Sequence, residues 1–433
     1  MVGNTHPYSI NDWTDDIMLA HASGIDGFAL NCGADEWERV RVADAYEAAK
    51  RSGLDFKLFI SLDMTSLQCG SPDDASRLRE LVEPYLNHPN QLQYDSRTFV
   101  STFSGETCTF GQANVVEGWK SQFVNHADLQ GKIYFVPAFF IDPEKFSDFS
   151  EVIDGDFNWN SGWPIQITTS FVKNLVSSPN PANITNPVPD AAARIAMQAR
   201  DGESKKPVYM GAVSPWFFTH YGQDSFNKNW IFLSDQHLYA KRWESIIASR
   251  DQFDVIQVLT WNDYGESHYI GPIKGAQPNS ESWVDGFNHT GWLTLTKYYA
   301  TAYKSGVFPA IEKDQILMWS RPHPAEAKVN DPVGQPDNFE LCQDVVWAIV
   351  MTTAPSTVVL STSSSGDNSQ QSQVPAGLSK LSIPIAPGGI MKGVIQRDGR
   401  TIVTLTPTPN EFTFQGAPTS YNFNAFVASA TAE

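Results

Sequence analysis

Over the first three hundred residues, short apolar runs alternate with stretches whose apolar residues recur at helical spacing. The runs at residues 1–4, 27–31, 56–62, 98–103, 132–137, 155–158, 207–212 and 254–260 read as eight strands. Between them, Trp13, Ile17 and Ala20 follow a cap at Asn11, and residues 36–52, 73–87, 115–129, 191–200, 237–249 and 298–304 carry the helical period. Gly53 is a suitable stop for the second of these helices. A long loop follows the sixth strand. Eight strand–helix repeats are the count of a (β/α)8 TIM barrel. A doubly wound open sheet ordinarily shows a glycine fingerprint after its first strand, and no GxGxxG or GxxxxGK[ST] occurs in this chain.

After about Pro309 the helical period disappears. Short β-rich runs follow at residues 345–351, 357–362, 378–385, 390–396, 400–406 and 422–429, separated by turn residues such as Pro387-Gly388-Gly389 and Asp398-Gly399. This pattern predicts a C-terminal antiparallel β-sandwich. The expected division is therefore a catalytic α/β barrel over residues 1–315 and an accessory β-sandwich over residues 316–433. The Ser-rich residues 361–372 read as an exposed hairpin loop.

Composition narrows the partners. A chain of 433 residues with 41% hydrophobic and 18% charged residues is globular and too long for one ordinary core. Forty-eight acids against 30 bases give a net charge of −18, which argues against a nucleic acid or an anionic membrane surface. A neutral polysaccharide suits that charge, and the 13 Trp, 14 Tyr and 26 Phe supply aromatic faces. No apolar run approaches the ~18 residues of a membrane span. The opening Met1-Val2-Gly3-Asn4-Thr5 has neither the basic nor the apolar region of a signal peptide. Asn183-Ile-Thr and Asn288-His-Thr are glycosylation sequons. A monomer without cofactor or metal is expected.

In a barrel, the chemistry sits just past the strands. The side chains there are Asn4 and His6, Asn31, Asp63, Glu106, Asp156 or Trp159, Trp216, and the segment Trp261-Asn262-Asp263-Tyr264-Gly265-Glu266-Ser267-His268. Acids, amides and aromatic rings on one rim suit sugar processing, where Trp faces stack on pyranose rings and amides bond hydroxyls. Asp263 and Glu266 are the candidate catalytic pair. Set three apart across Gly265, one would protonate a glycosidic oxygen and the other would activate water; the competing reading is a surface turn whose acids cap the following chain. Glu266 is taken as the acid and Asp263 as the base. Trp159, Trp163 and Trp216 are each core or sugar platform. No GxSxG, HExxH or CxxC occurs, and the nine His residues do not cluster at ligand spacing. Cys69 and Cys108 fall in loops after the third and fourth strands, which are neighbours in a barrel, so they are either bridged or a pair of free buried thiols; the disulfide is the favoured reading.

Several strings taken in order carry a resemblance: Val2-Gly-Asn-Thr, Trp13-Thr-Asp-Asp, Gly24-Ile-Asp-Gly-Phe-Ala-Leu-Asn31, Phe103-Ser-Gly-Glu106, Ser214-Pro-Trp-Phe217, Thr260-Trp-Asn-Asp-Tyr-Gly-Glu-Ser-His268 and Arg321-Pro-His-Pro324. They resemble the fungal α-1,3-glucanases, or mutanases, of glycoside hydrolase family 71. The resemblance spans most of residues 1–325 and, more loosely, the β-rich tail. It implies endo-hydrolysis of α-1,3-glucan with inversion, on a barrel with a β-sandwich, in a secreted or wall-associated protein, and it maps the family's acids to Asp263 and Glu266. Substrate contacts are expected from Asn4, His6, Asn31, Asp63, Glu106, Trp159, Trp216, Trp261, Asn262, Tyr264 and His268. Two rivals stand beside it. One is another endo-glycosidase, such as an endo-α-mannosidase of family 99. The other is a non-catalytic wall-binding protein, which would need neither acid.

Overall fold

The computed structural model describes residues 1–163 and 207–433. The expected helix at 191–200 and the sequon at Asn183 lie outside them. The described residues form two compact units. One holds residues 1–163, 207–213 and 245–258, and the other holds residues 214–244 and 259–433.

The first unit is built on parallel strands taken in chain order. Gly27–Cys32 pairs with Lys57–Asp63, which pairs with Arg97–Phe103, which pairs with Ile133–Phe135. Gly155–Asn158 pairs with Val208–Val213, which pairs with Val255–Val258. Between these two sheets, Asp154 N–H donates to the Phe135 carbonyl (2.8 Å) and Phe157 N–H to the Pro137 carbonyl (3.0 Å). The strands are apolar runs because parallel strands are covered on both faces; Val208–Val213 is buried along its whole length. Helices lie between them. Glu36–Ser52 ends where Gly53 takes φ 66°, the left-handed conformation that glycine adopts without steric cost. Ile10–Ala22 and Pro72–Val82 open on reciprocal capping boxes, Ser9 with Asp12 and Ser71 with Asp74.

Some expectations are corrected here. The strand expected at residues 1–4 is a single 3-10 turn, Gly3–Thr5, closed by the Thr5 hydroxyl on the Val2 carbonyl (2.7 Å); the Val2 N–H donates to the Asn31 carbonyl of the neighbouring strand (2.9 Å). The first helix is capped by Ser9, not Asn11, because only Ser9 has an acid three residues on to complete the box. The fourth helix shortens to Val115–Trp119 with a π turn at Lys120–Val124.

The second unit carries two antiparallel sheets, in the orders Gly377–Pro384, Val345–Thr352, Gln315–Ser320, Phe426–Thr431 and Ser369–Val374, Ser356–Ser361, Lys392–Arg397, Arg400–Leu405. Ile316, Met318, Val346 and Val350 from the first share one buried core with Val358, Leu360, Ile395 and Val403 from the second. Asp314 and Arg397 join the sheets by an ion pair of 2.6 Å. The Ser-rich stretch is only partly a loop, since Ser369–Val374 is an edge strand paired along Ser356–Ser361.

Cys69 and Cys108 are bridged, with Cα atoms 5.2 Å apart and a sequence separation of 39. Phe110 N–H also donates to the Cys69 carbonyl (2.9 Å). Closing a loop of that length restricts the unfolded chain by about 3–4 kcal/mol. Thiol labelling of the denatured, unreduced protein should therefore find two thiols, Cys32 and Cys342, and the Cys69→Ser/Cys108→Ser protein should unfold at clearly lower denaturant. Four reactive thiols would contradict the bridge.

Candidate active site

Past the strand Val255–Val258 the chain turns back on itself. Thr260 N–H donates to the His268 carbonyl (2.7 Å), Ile270 N–H to the Thr260 carbonyl (2.9 Å) and Gly271 N–H to the Trp261 carbonyl (2.8 Å). Within the loop so closed, Asp263 N–H donates to the Thr260 hydroxyl (2.9 Å), and Ser267, at φ 59°, donates its N–H to the Tyr264 carbonyl (3.0 Å). Tyr264 is the peg of the loop. Its ring is wholly buried, and its hydroxyl donates to the Pro272 carbonyl (3.0 Å) while accepting the Lys274 N–H (3.1 Å).

Gly265 is required by close approach. A Cβ there would lie 2.1 Å from the hydroxyl of Tyr221, itself a buried side chain. Tyr221 belongs to a hairpin of Phe218–Tyr221 and Lys228–Ile231, and Phe218 N–H donates to the Glu266 carbonyl (3.1 Å).

These constraints bring two acids and one imidazole together. His268 is wholly buried, with Nε2 3.1 Å from Glu266 Oε2 and 3.5 Å from Asp263 Oδ2. Lys228 Nζ reaches the other oxygen, Glu266 Oε1, at 3.0 Å. The Asp263 and Glu266 side chains keep only 12% and 19% of their exposure. Burial works against charge on His268, but hydrogen bonds and attraction from both carboxylates outweigh it and push its pKa up to about 9. Burial likewise raises Asp263, and the His268 contact outweighs it, leaving that carboxyl below its usual range. Burial, then the charge on Asp263, pushes the Tyr221 phenol well up. One donor atom from each of Asp263, Glu266 and His268 fits within 4.8 Å of the others, compact enough for an ion. Nε2 is however the proton donor to both acids, and an imidazolium has no lone pair for a metal. We assign no metal ligand among them.

The other residues named from sequence fall in several places. In this same unit, Asn262 is buried and Trp261 half-buried, its ring tight against Gly271. Trp216 lies in the interior, its indole N–H on the Phe423 carbonyl (2.8 Å) and its ring stacked on Trp292. In the first unit, Asn31 Nδ2 donates to Asp63 Oδ2 (3.1 Å) and accepts the Ser61 hydroxyl on Oδ1 (3.1 Å). Glu106 accepts the Ser104 hydroxyl (3.1 Å) and the Phe140 N–H (3.3 Å). Trp159, half-buried, meets Phe103 edge-on at 4.7 Å. His6 is exposed with its ring edge-on to Trp37, Asn4 sits in the 3-10 turn, and Asp156 and Trp163 are buried. The sequence reading missed Lys228 and Tyr221. The signal was there: alternating Phe218-Thr-His-Tyr221 and Lys228-Asn-Trp-Ile231 about the turn residues Gly222 and Asp224.

Two acids this close at a strand end, one held ionised, offer proton transfer and nothing covalent of their own beyond a carboxylate. Acetal cleavage is one chemistry that uses such a pair, and glycoside hydrolase is the class of the family that the chain matches. The whole chain, residues 1–433, matches the model of Glycosyl hydrolase family 71, and the chain belongs to that family. It is 37% identical over 431 residues to glucan endo-1,3-alpha-glucosidase agn1 of Schizosaccharomyces pombe, covering 99% of this chain and 92% of that one. It is 32% identical over 435 residues to mutanase Pc12g07500 of Penicillium rubens, covering 99% and 87%. A solved GH99 endo-alpha-mannosidase from Bacteroides thetaiotaomicron overlays with a TM-score of 0.46 at 11% identity, over 69% of this chain and 81% of that one.

Gly265→Ala should force the buried Tyr221 hydroxyl or the loop to move. The expected result is at least a tenfold loss of activity with a folded protein, partly restored when Tyr221→Phe is added. Full activity of the single variant would show the approach to be unimportant.

Proposed function

We propose that the chain is an endo-acting hydrolase of α-1,3-glucan in which Asp263 is the general base, Glu266 the general acid, and the anomeric carbon is inverted. One observation carries the site: the closed loop sets Asp263, Glu266 and His268 within 4.8 Å. A carboxylate kept ionised by His268 suits the role of accepting a proton from water. Glu266, the more exposed of the two, suits proton delivery to the leaving oxygen. The choice of α-1,3-glucan is supported by the names of both relatives and by their near-complete coverage. Family membership speaks against the mannosidase reading, and two catalytic-type acids speak against a purely binding protein.

An inverting pair works with carboxyl groups about 6.5–9.5 Å apart, leaving room for water. The facing donor atoms here lie closer than that, so in this reading Glu266 swings off His268 as the glucan enters. The remaining rim residues named from sequence keep the role of sugar contacts, except that the buried Trp216, Tyr264 and His268 act as supports. We read the parallel strands in chain order as those of a (β/α)8 barrel spanning residues 1–315, and the two-sheet tail as a β-sandwich over residues 316–433. A secreted or wall-associated monomer fits the disulfide, which persists in oxidising compartments.

Reducing-end release from insoluble α-1,3-glucan tests the activity. Asp263→Asn and Glu266→Gln should each lower it ~10²-fold or more, the loss expected when a general base or acid is removed, while polymer binding is retained. Proton NMR of the first product should show the β-anomer; the α-anomer would overturn inversion. Near-normal turnover by either variant would reject the pair.

A further inference from the structure

The structure assigns His268 a task other than sugar contact: we propose that it is a positioning residue, an imidazolium set between Asp263 and Glu266 that gives the Asp263 base a cationic partner, fixes where that base points and holds Glu266 until the glucan enters. The inference rests on the reading of those two acids as the catalytic pair.

The ring has nowhere else to go. It is wholly buried, lies stacked on Phe217 with centroids 5.5 Å apart at 16°, and its own carbonyl is tied to Thr260 N–H. A sugar hydroxyl has no access to a side chain with no exposed surface. Nε2 meanwhile faces one oxygen of each acid, at 3.1 and 3.5 Å. Lys228, from the facing hairpin, reaches the other Glu266 oxygen. Tyr221 from the same hairpin stays a neutral phenol. His289, whose ring nitrogens lie 2.9 Å from the Tyr269 and Ala425 carbonyls, is held neutral by burial, with its pKa down to about 4, so that one nitrogen donates and the other only faces its carbonyl. His268 Nε2 is thus a cationic group facing both acids, while Lys228 Nζ reaches Glu266. Without His268, Asp263 would lose its neighbouring cation and hold its proton to higher pH.

The test compares His268→Gln and His268→Ala with wild type in the full chain. Gln keeps an N–H donor and drops the charge. Both variants should lose at least tenfold in kcat with KM changed less than about twofold. The acid limb of the kcat/KM profile should move up by about one pH unit, because Asp263 loses its neighbouring cation. An acid limb that stays in place, or a His268→Gln protein with kcat restored, would overturn the proposal, as would a raised KM with kcat intact. Wild-type turnover and its loss in Asp263→Asn, run alongside, test the underlying reading separately. Should the His268 variants fail to fold, the wild type suffices. A group whose pKa is raised on folding stabilises the fold below its unfolded value, about 6.5, and loses that contribution as pH climbs through its folded value of about 9. The urea midpoint should fall across that window; a flat midpoint would overturn the proposal.

Discussion

Two carboxyl groups within 4.8 Å of each other, both largely withdrawn from water, repel whenever both are ionised unless a cation shares the space. At an effective dielectric of about 20, two unit charges at that separation cost about 3 kcal/mol. This is a large fraction of a protein's net stability. His268 offsets that repulsion from one side and Lys228 from the other. The site therefore exists only where the backbone can carry an acid, a second acid and a histidine back to one point within six residues, and the hydrogen-bonded closure of residues 260–271 does this.

The loop in turn leans on the rest of its unit. Trp283 donates its indole N–H to the Gly265 carbonyl (3.3 Å), and Asn424 donates to the Trp283 carbonyl (2.9 Å). The His289 ring sits between the Tyr269 and Ala425 carbonyls, each 2.9 Å from one ring nitrogen. His220, on the hairpin that carries Tyr221 and Lys228, pairs with Asp331 at 3.1 Å. Residues of the β-rich tail thus brace the segment that bears the acids. Their part in this chain is mechanical support of the site, whatever else the tail surface does.

Much of this was legible in the sequence because local chemistry decided it. The helix at 36–52 was read with its true bounds, since Gly53 ends it by backbone freedom alone. Asp263 and Glu266 stood out because they follow a strand directly and flank a glycine. What was missed depended on distant partners. The central strand Gln315–Ser320 is paired on both sides and nearly all buried, so it shows no alternation to mark it as β. Ser369–Val374 is an edge strand, exposed and polar, and reads as loop. Gly265 was explained by a turn, whereas its reason is Tyr221, forty-four residues earlier in the chain. His268 was read as a sugar contact because its burial and its double contact appear only once the loop has closed.

The central claim is that a buried imidazolium joins the two acids, and the protonation of His268 itself tests it most directly. Isotope-edited NMR of the ring nitrogens, followed from acid to alkaline pH in the wild-type protein, should show both nitrogens protonated through neutral pH and titration only near pH 9. In Asp263→Asn the midpoint should fall. A His268 that titrates at or below the ordinary value of about 6.5, or whose midpoint ignores the loss of Asp263, would contradict the account.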